Sequence, residues 1–245
     1  MSIRKHIPNT ITSLNLACGT LGVVCTAMGR TDLAFALMLA GAVFDFLDGM
    51  SARALGAYSP MGKELDSLAD NITFGLLPAF MLFKAMHSVY GAKEFFVWIP
   101  LLIAVFSGLR LAKFNVDERQ TSSFIGMPTP ACAMICGSLG CYLALWPGTG
   151  FAALALTPWF IPALSLVLCF LLVCEIPMFS MKIHKGEGMN RDMVLRIIFA
   201  CIAIAGLITV IAAGWSWTIA VFLAFTAYIL INMVAAVCAP KKTEK

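Results

Sequence analysis

Charge is what this sequence has least of. Asp, Glu, Lys and Arg make up 12% of its 245 residues, against about 25% in an average soluble domain, while 60% of the chain is hydrophobic and mean hydropathy is +0.90. That scarcity excludes a soluble globular domain and leaves a polytopic membrane protein. Histidine is scarcer still: His6, His87 and His184 lie far apart near segment ends, which suits surface or interfacial positions. No CxxC pair occurs among the nine cysteines (Cys18, Cys25, Cys132, Cys136, Cys141, Cys169, Cys174, Cys201, Cys238), an odd number placed mostly inside apolar runs. A disulfide framework or cysteine-built metal cage is therefore excluded, and small buried packing residues are expected. No signal peptide with a cleavage site is evident, because the first apolar run after Arg4 and Lys5 continues for a full membrane span. No internal repeat is visible, and no nucleic-acid partner is expected.

What is present is a series of apolar segments. The chain reads as one membrane domain, residues 1–245, with about eight helical spans near 7–29, 32–53, 66–86, 95–114, 128–146, 158–181, 193–213 and 216–238. The WPGTG turn at Trp146 to Gly150, with Pro158 and Pro162, divides the 55 uncharged residues between Arg119 and Glu175; Gly214 divides the 44 between Arg196 and Lys241. With the N-terminus cytoplasmic, 14 of the 17 Lys and Arg residues fall on the inner side, leaving only Arg30, Lys84 and Lys93 outside. This bias places both termini in the cytoplasm. Spans two, three and four have uncharged runs of only 12, 13 and 15 residues. They are expected to line a polar cavity open to the cytoplasm.

The acids are concentrated at one place. Residues 45–70 read D-x2-D-G-x2-A-R-x8-G-x3-D-x3-D, carried by Asp45, Asp48, Gly49, Ala52, Arg53, Gly62, Asp66 and Asp70. A carboxylate at the centre of a membrane helix costs roughly 2.5 to 3.5 kcal/mol, and less near the interface, so four together require a cation nearby. At 100° per residue, Asp45, Asp48, Gly49 and Ala52 share one helix face, and Asp66 and Asp70 stack on one face of the next. Two antiparallel helices can thus aim two carboxylates each at a common point. An all-oxygen donor set suits Mg²⁺, Mn²⁺ or Ca²⁺ and does not suit zinc; four carboxylates have capacity for two ions.

This pattern resembles the signature of the CDP-alcohol phosphatidyltransferases, membrane enzymes that join a CDP-activated lipid to an alcohol and release CMP. The resemblance implies a helical bundle of that family's type and a divalent metal, Mg²⁺ or Mn²⁺. It further implies that Asp45, Asp48 and Asp66 bind metal, and that Asp70 both contacts metal and acts as base toward the acceptor hydroxyl. Asp48, Gly49, Ala52, Arg53, Gly62 and Asp66 would then hold the CDP diphosphate. Gly49 and Ala52 are small enough for close approach, and Arg53 supplies a cationic fork. A homodimer is also implied.

Flanking stretches narrow the resemblance. IPNTITSLNLACG near the N-terminus, GLRLAKFN from Gly108 to Asn115, and FIGMPTPACA from Phe124 are similar to the bacterial-type phosphatidylserine synthases of that family. CDP-diacylglycerol and L-serine are then the expected substrates, CMP and phosphatidylserine the products, within a bacterial inner membrane. Inositol, inositol phosphate and glycerol 3-phosphate stay open as acceptors of the same chemistry, and an ion-coupled transporter is the rival from another class. Arg110 and Lys113 are either snorkelling anchors or the cations for a serine carboxylate or lipid phosphate, with Asn115 and Thr129 adding hydrogen bonds. Thr12 and Asn15 either bond to their own helix backbone or line the nucleotide pocket. Lys182, in PMFSMKIHK, is an interfacial anchor or a substrate contact.

Overall fold

The computed structural model describes residues 6–117, 124–178 and 191–237; Lys182 lies outside them. The architecture is helical. Ile7–Ala27 (α1) and Thr31–Leu55 (α2) form an antiparallel pair, and Pro60–Asp70 (α3) runs on through a π-helical stretch, Asn71–Leu76, into Leu77–Tyr90 (α4). A 3₁₀ turn, Phe95–Leu101, leads into Leu102–Val116 (α5). Thr129–Leu145 (α6), Gly150–Ala155 (α7), Phe160–Val173 (α8), Arg191–Ala212 (α9) and Trp217–Val237 (α10) follow. Among the described residues, six helical segments are long and apolar enough to cross a membrane, and α6 and α8 are shorter apolar helices. The chain is an integral membrane helical protein.

Local chemistry sets the turn that carries the acidic motif. α2 ends at Gly56, whose φ of 58° is the left-handed cap that a side chain would disfavour. α3 then starts from Ser59, whose Oγ accepts the Gly62 N–H at 3.0 Å, with Pro60 preset for the first helical position. These caps start the helix at Pro60, six residues before the expected third span. From Pro60 to Tyr90 is 31 residues, about 46 Å at 1.5 Å per residue, so the helix outruns a ~30 Å hydrocarbon core. Measured from Tyr90, the core ends near Asn71, which puts Asp66 and Asp70 at its edge.

The π-helical stretch has a local cause. Pro78 has no N–H to donate to the Phe74 carbonyl and its ring crowds that oxygen, so a widened turn before it relieves the conflict.

α6 is the central helix, buried over most of its length. It packs between α4 and α10, burying Ile135, Leu139 and Tyr142 with Leu82, Met86 and Phe222. A second cluster joins Phe35 and Met38 of α2 to Phe74, Leu77 and Met81.

Two expectations are corrected. The sixth span is expected to reach 181, but α8 ends at Val173. Phe124–Ile125 (β1) pairs antiparallel with Pro177–Met178 (β2), and the Gly126 and Met127 N–H groups bond to Ile176 and Leu171 carbonyls. That pairing fixes the approach to α6 against the end of α8. The cysteines are also not uniformly interior: Cys132, Cys136, Cys141 and Cys169 are buried, whereas Cys201 faces outward on α9. A thiol is apolar enough to face lipid. The cysteines described are all free.

Candidate active site

α1 is the scaffold on which the acidic helices are arranged. It packs along α2 and against α3, while α2 and α3 scarcely touch each other, so a gap opens between them over α1. Asp45 and Asp48 enter this gap from α2, and Asp66 and Asp70 from α3 and its end. One carboxylate oxygen each from Asp45, Asp48 and Asp66 lies within 4.8 Å of the others. Three anions so close repel one another unless a cation sits among them. Asp48 Oδ2 is buried without a hydrogen-bond partner among the described residues, which adds a desolvation cost that a cation would remove. The donor set is oxygen only, and it fits a hard divalent ion.

Asp70 stands beside this trio, electrostatically coupled to all three. Its Oδ1 accepts a hydrogen bond from Asn15 Nδ2 at 3.2 Å. Asn15 is fully buried and is itself positioned by Thr73, whose Oγ1 donates to the Asn15 carbonyl at 3.0 Å. Thr12 Oγ1 donates to the Pro8 carbonyl at 3.0 Å and lies beside Asp48. Thr12 thus bonds to its own helix backbone while lining the adjoining cleft, whereas Asn15 directs its side chain to Asp70 instead.

A cleft of about 200 Å³ adjoins the carboxylates. Asp48, Gly49, Ala52, Gly62 and Asp66 line it, as do Thr12, Asn9, Tyr58, Ser59 and Lys63. The expectation that spans two, three and four line one cavity needs correction: α1, α2, the α2–α3 turn and α3 line this cleft. α5 instead packs against the π-helical stretch that follows Asp70. Arg53 is exposed at the rim, its Nη1 3.6 Å from where a Cβ on Gly49 would stand. Gly62 has a steric reason to be glycine, since a Cβ there would lie 2.8 Å from Asn9 Oδ1.

The basic residues of α5 separate into different environments. Arg110 is 7% exposed; its Nη1 donates to Thr129 Oγ1 at 3.0 Å, its guanidinium lies 5.3 Å from the Phe114 ring centroid, and it is coupled to Asp70 and Tyr228. Lys113 instead bonds Glu175 Oε1 at 3.1 Å on a partly exposed flank. Asn115 Nδ2 donates to Ser67 Oγ at 2.8 Å, and Lys63 Nζ donates to the Asn115 carbonyl at 2.9 Å, clamping α5 to α3.

Several residues around the site went unassigned in the sequence: Asn9, Tyr58, Ser59, Ser67, Tyr228 and Asn232. Tyr228 and Asn232, each 1% exposed, are a polar pair four residues apart in an otherwise apolar run, and Asn232 Nδ2 donates to the Tyr228 carbonyl at 2.8 Å. That spacing was the available signal.

Comparison with known proteins follows the same lines. Over 130 residues the chain is 36% identical to the CDP-diacylglycerol–serine O-phosphatidyltransferase of Bacillus subtilis (strain 168), covering 53% of this chain and 72% of that protein. It is 36% identical over 184 residues to the Mycobacterium leprae (strain TN) protein of the same name, covering 71% of this chain and 58% of that protein. The corresponding protein of Mycobacterium tuberculosis (strain ATCC 25618 / H37Rv) is 33% identical over 208 residues, 81% of this chain and 70% of its own length. With residues 5–171 matching the sequence profile of the CDP-alcohol phosphatidyltransferases, and its aspartates gathered over α1, this chain belongs to that family.

Proposed function

We propose that this chain transfers the phosphatidyl group of CDP-diacylglycerol to the hydroxyl of L-serine, giving phosphatidylserine and CMP. One observation carries the chemistry: Asp45, Asp48 and Asp66 crowd together while Asp70 is held beside them by Asn15. That arrangement supports a cation site with a hydrogen-bonded base at its edge. The names of the similar proteins supply the donor and the acceptor.

Asp45, Asp48 and Asp66, with Asp70 alongside, would hold Mg²⁺ or Mn²⁺, with capacity for two ions; Ca²⁺ also suits the oxygen set. Bound there, the metal neutralises diphosphate charge and makes CMP a better leaving group.

The chain's own residues supply the rest. Gly49, Ala52 and Gly62 let the nucleotide lie close to the helix backbones, and Arg53 meets its diphosphate from the rim. Arg110, oriented by Thr129, faces the carboxylate of the incoming serine. Asp70 takes the proton of the serine hydroxyl, and that oxygen attacks the phosphorus bearing the diacylglycerol. The new P–O bond forms as the bond to CMP breaks, and CMP departs with the electron pair. The excess of Lys and Arg near the site end of the helices supports a cytoplasmic active site in the bacterial inner membrane. A homodimer surrounded by membrane lipid is the assembly that the family resemblance supports.

Purified protein is incubated with CDP-diacylglycerol, Mn²⁺ and, separately, labelled serine, inositol, inositol phosphate or glycerol 3-phosphate. Phosphatidylserine and CMP are expected from serine. A lipid formed only from another alcohol overturns the acceptor, and near-normal turnover by Asp70→Asn at saturating metal and substrates overturns the role of Asp70.

A further inference from the structure

Directly after Asp70 the chain enters its π-helical stretch, and Asn71 turns toward α5. Its amide lies 3.5 Å from where a Cβ on Gly108 would stand. Across the seam a Cβ on Gly75 would meet Asn71 Oδ1 at 2.8 Å, Ser107 Cβ at 3.0 Å and Ser107 Oγ at 3.4 Å. Gly75 therefore leaves the space in which these two polar side chains approach each other. Both Asn71 Oδ1 and Ser107 Oγ are buried without a hydrogen-bond partner among the described residues, and Ser107 is fully buried. Two such atoms side by side are costly in an apolar seam and call for a ligand that donates hydrogen bonds.

The neighbours indicate which ligand. Ser107 lies three residues before Arg110, on the same face of α5, and Arg110 is coupled to Asp70, the residue preceding Asn71. The region thus offers a carboxylate, a guanidinium and a pair of acceptor atoms. Serine presents a hydroxyl, a carboxylate and an ammonium group with three N–H donors. The matching is one to one, and it uses no group of the nucleotide cleft.

We propose that Asn71 Oδ1 and Ser107 Oγ receive the ammonium group of the acceptor, so that selection of an amino acid over a polyol or a phosphorylated alcohol is made in the seam between the π-helical stretch and α5. This rests on serine being the acceptor. Inositol and glycerol 3-phosphate can offer these oxygens only neutral hydroxyl donors, without the charge that strengthens a hydrogen bond from an ammonium group.

The test compares L-serine with 3-hydroxypropanoate, which keeps the hydroxyl and carboxylate and lacks the amine. Wild-type protein is expected to favour serine in kcat/KM by at least ~100-fold, the low end of what two charge-assisted hydrogen bonds supply. Ser107→Ala, which removes one atom and leaves the fold intact, is expected to raise serine KM by ~10-fold with the KM for CDP-diacylglycerol unchanged. Asn71→Leu is expected to lower the preference further. Equal use of the two acceptors by wild type, or an unchanged preference in Ser107→Ala, overturns the subsite and leaves the seam to a buried water. If wild type forms CMP only with a different alcohol, the serine reading itself has failed, a result separate from either of these.

Discussion

Asn15 Nδ2 donates to Asp70 Oδ1 at 3.2 Å, joining α1 to the end of α3 across 55 positions of sequence. The bond orients one carboxylate without neutralising it, which a base requires. Replacing Asn15 by Leu is expected to lower kcat by ~10- to 100-fold, the loss of a hydrogen bond to a charged group, with little change in KM for CDP-diacylglycerol. Steady-state kinetics with each substrate varied checks this; a change confined to KM would place Asn15 in the nucleotide site.

Metal removal has a stability signature as well as a catalytic one. Chelation is expected to abolish CMP release, and Mg²⁺ or Mn²⁺ to restore it. In the absence of substrate, Mn²⁺ should raise the melting temperature of wild type, because a ligand bound only to the folded state stabilises it. Asp48→Asn removes a buried charge from the trio and should abolish most of that rise. A metal-dependent shift that survives in Asp48→Asn would move the ion elsewhere.

The two cations of α5 should behave unlike each other. Arg110 is buried and held by Thr129 on the helix that packs against the stretch following Asp70, so Arg110→Gln is expected to raise serine KM by ~100-fold, in line with truncating a buried charge partner. Lys113 and Glu175 have side chains 40% and 65% exposed, and such pairs contribute ~0–1 kcal/mol, so Lys113→Gln should change serine KM by less than ~5-fold. Serine saturation curves for the two variants decide; the reverse order would make Lys113 the acceptor residue.

Gly62 and Asn9 should be coupled. Gly62→Ala places a methyl 2.8 Å from Asn9 Oδ1 and is expected to cost ~1–3 kcal/mol of stability while raising the KM for CDP-diacylglycerol. Asn9→Ala in the same chain should recover part of both effects. A double-mutant cycle of melting temperatures and KM values measures the coupling, and strict additivity would refute the contact.

The helical class, the membrane-spanning character and the convergence of acids were legible from composition and from the spacing of Asp45, Asp48, Asp66 and Asp70, because helical period alone fixes which side chains share a face. The part played by α1 was less legible. Thr12 and Asn15 read equally well as backbone-bonded residues, and only the packing of α1 beneath both acidic helices brings Asn15 to Asp70. The difference between Arg110 and Lys113 was not legible, since three residues on a helix separate a buried face from a flank only once the neighbouring helices are placed. Tyr228 lies more than a hundred residues from Arg110, and no local pattern announces that the two come near enough to interact. The end of α8 is hidden in the sequence because apolar residues continue through Ile176 and Met178 while the backbone there has already turned to pair with β1.

The widened turn between Asn71 and Leu76 gives the long helix two angular settings. Below it the rod is indexed to aim aspartates at α2; above it, the same rod is indexed to press Leu77 and Met81 into the interior. At ~100° per residue, loss of one residue from this stretch would re-clock the acidic half by about a quarter turn and leave the apolar half seated. The stretch therefore works as a vernier, and its length, rather than the identity of any carboxylate, sets the alignment of the two halves.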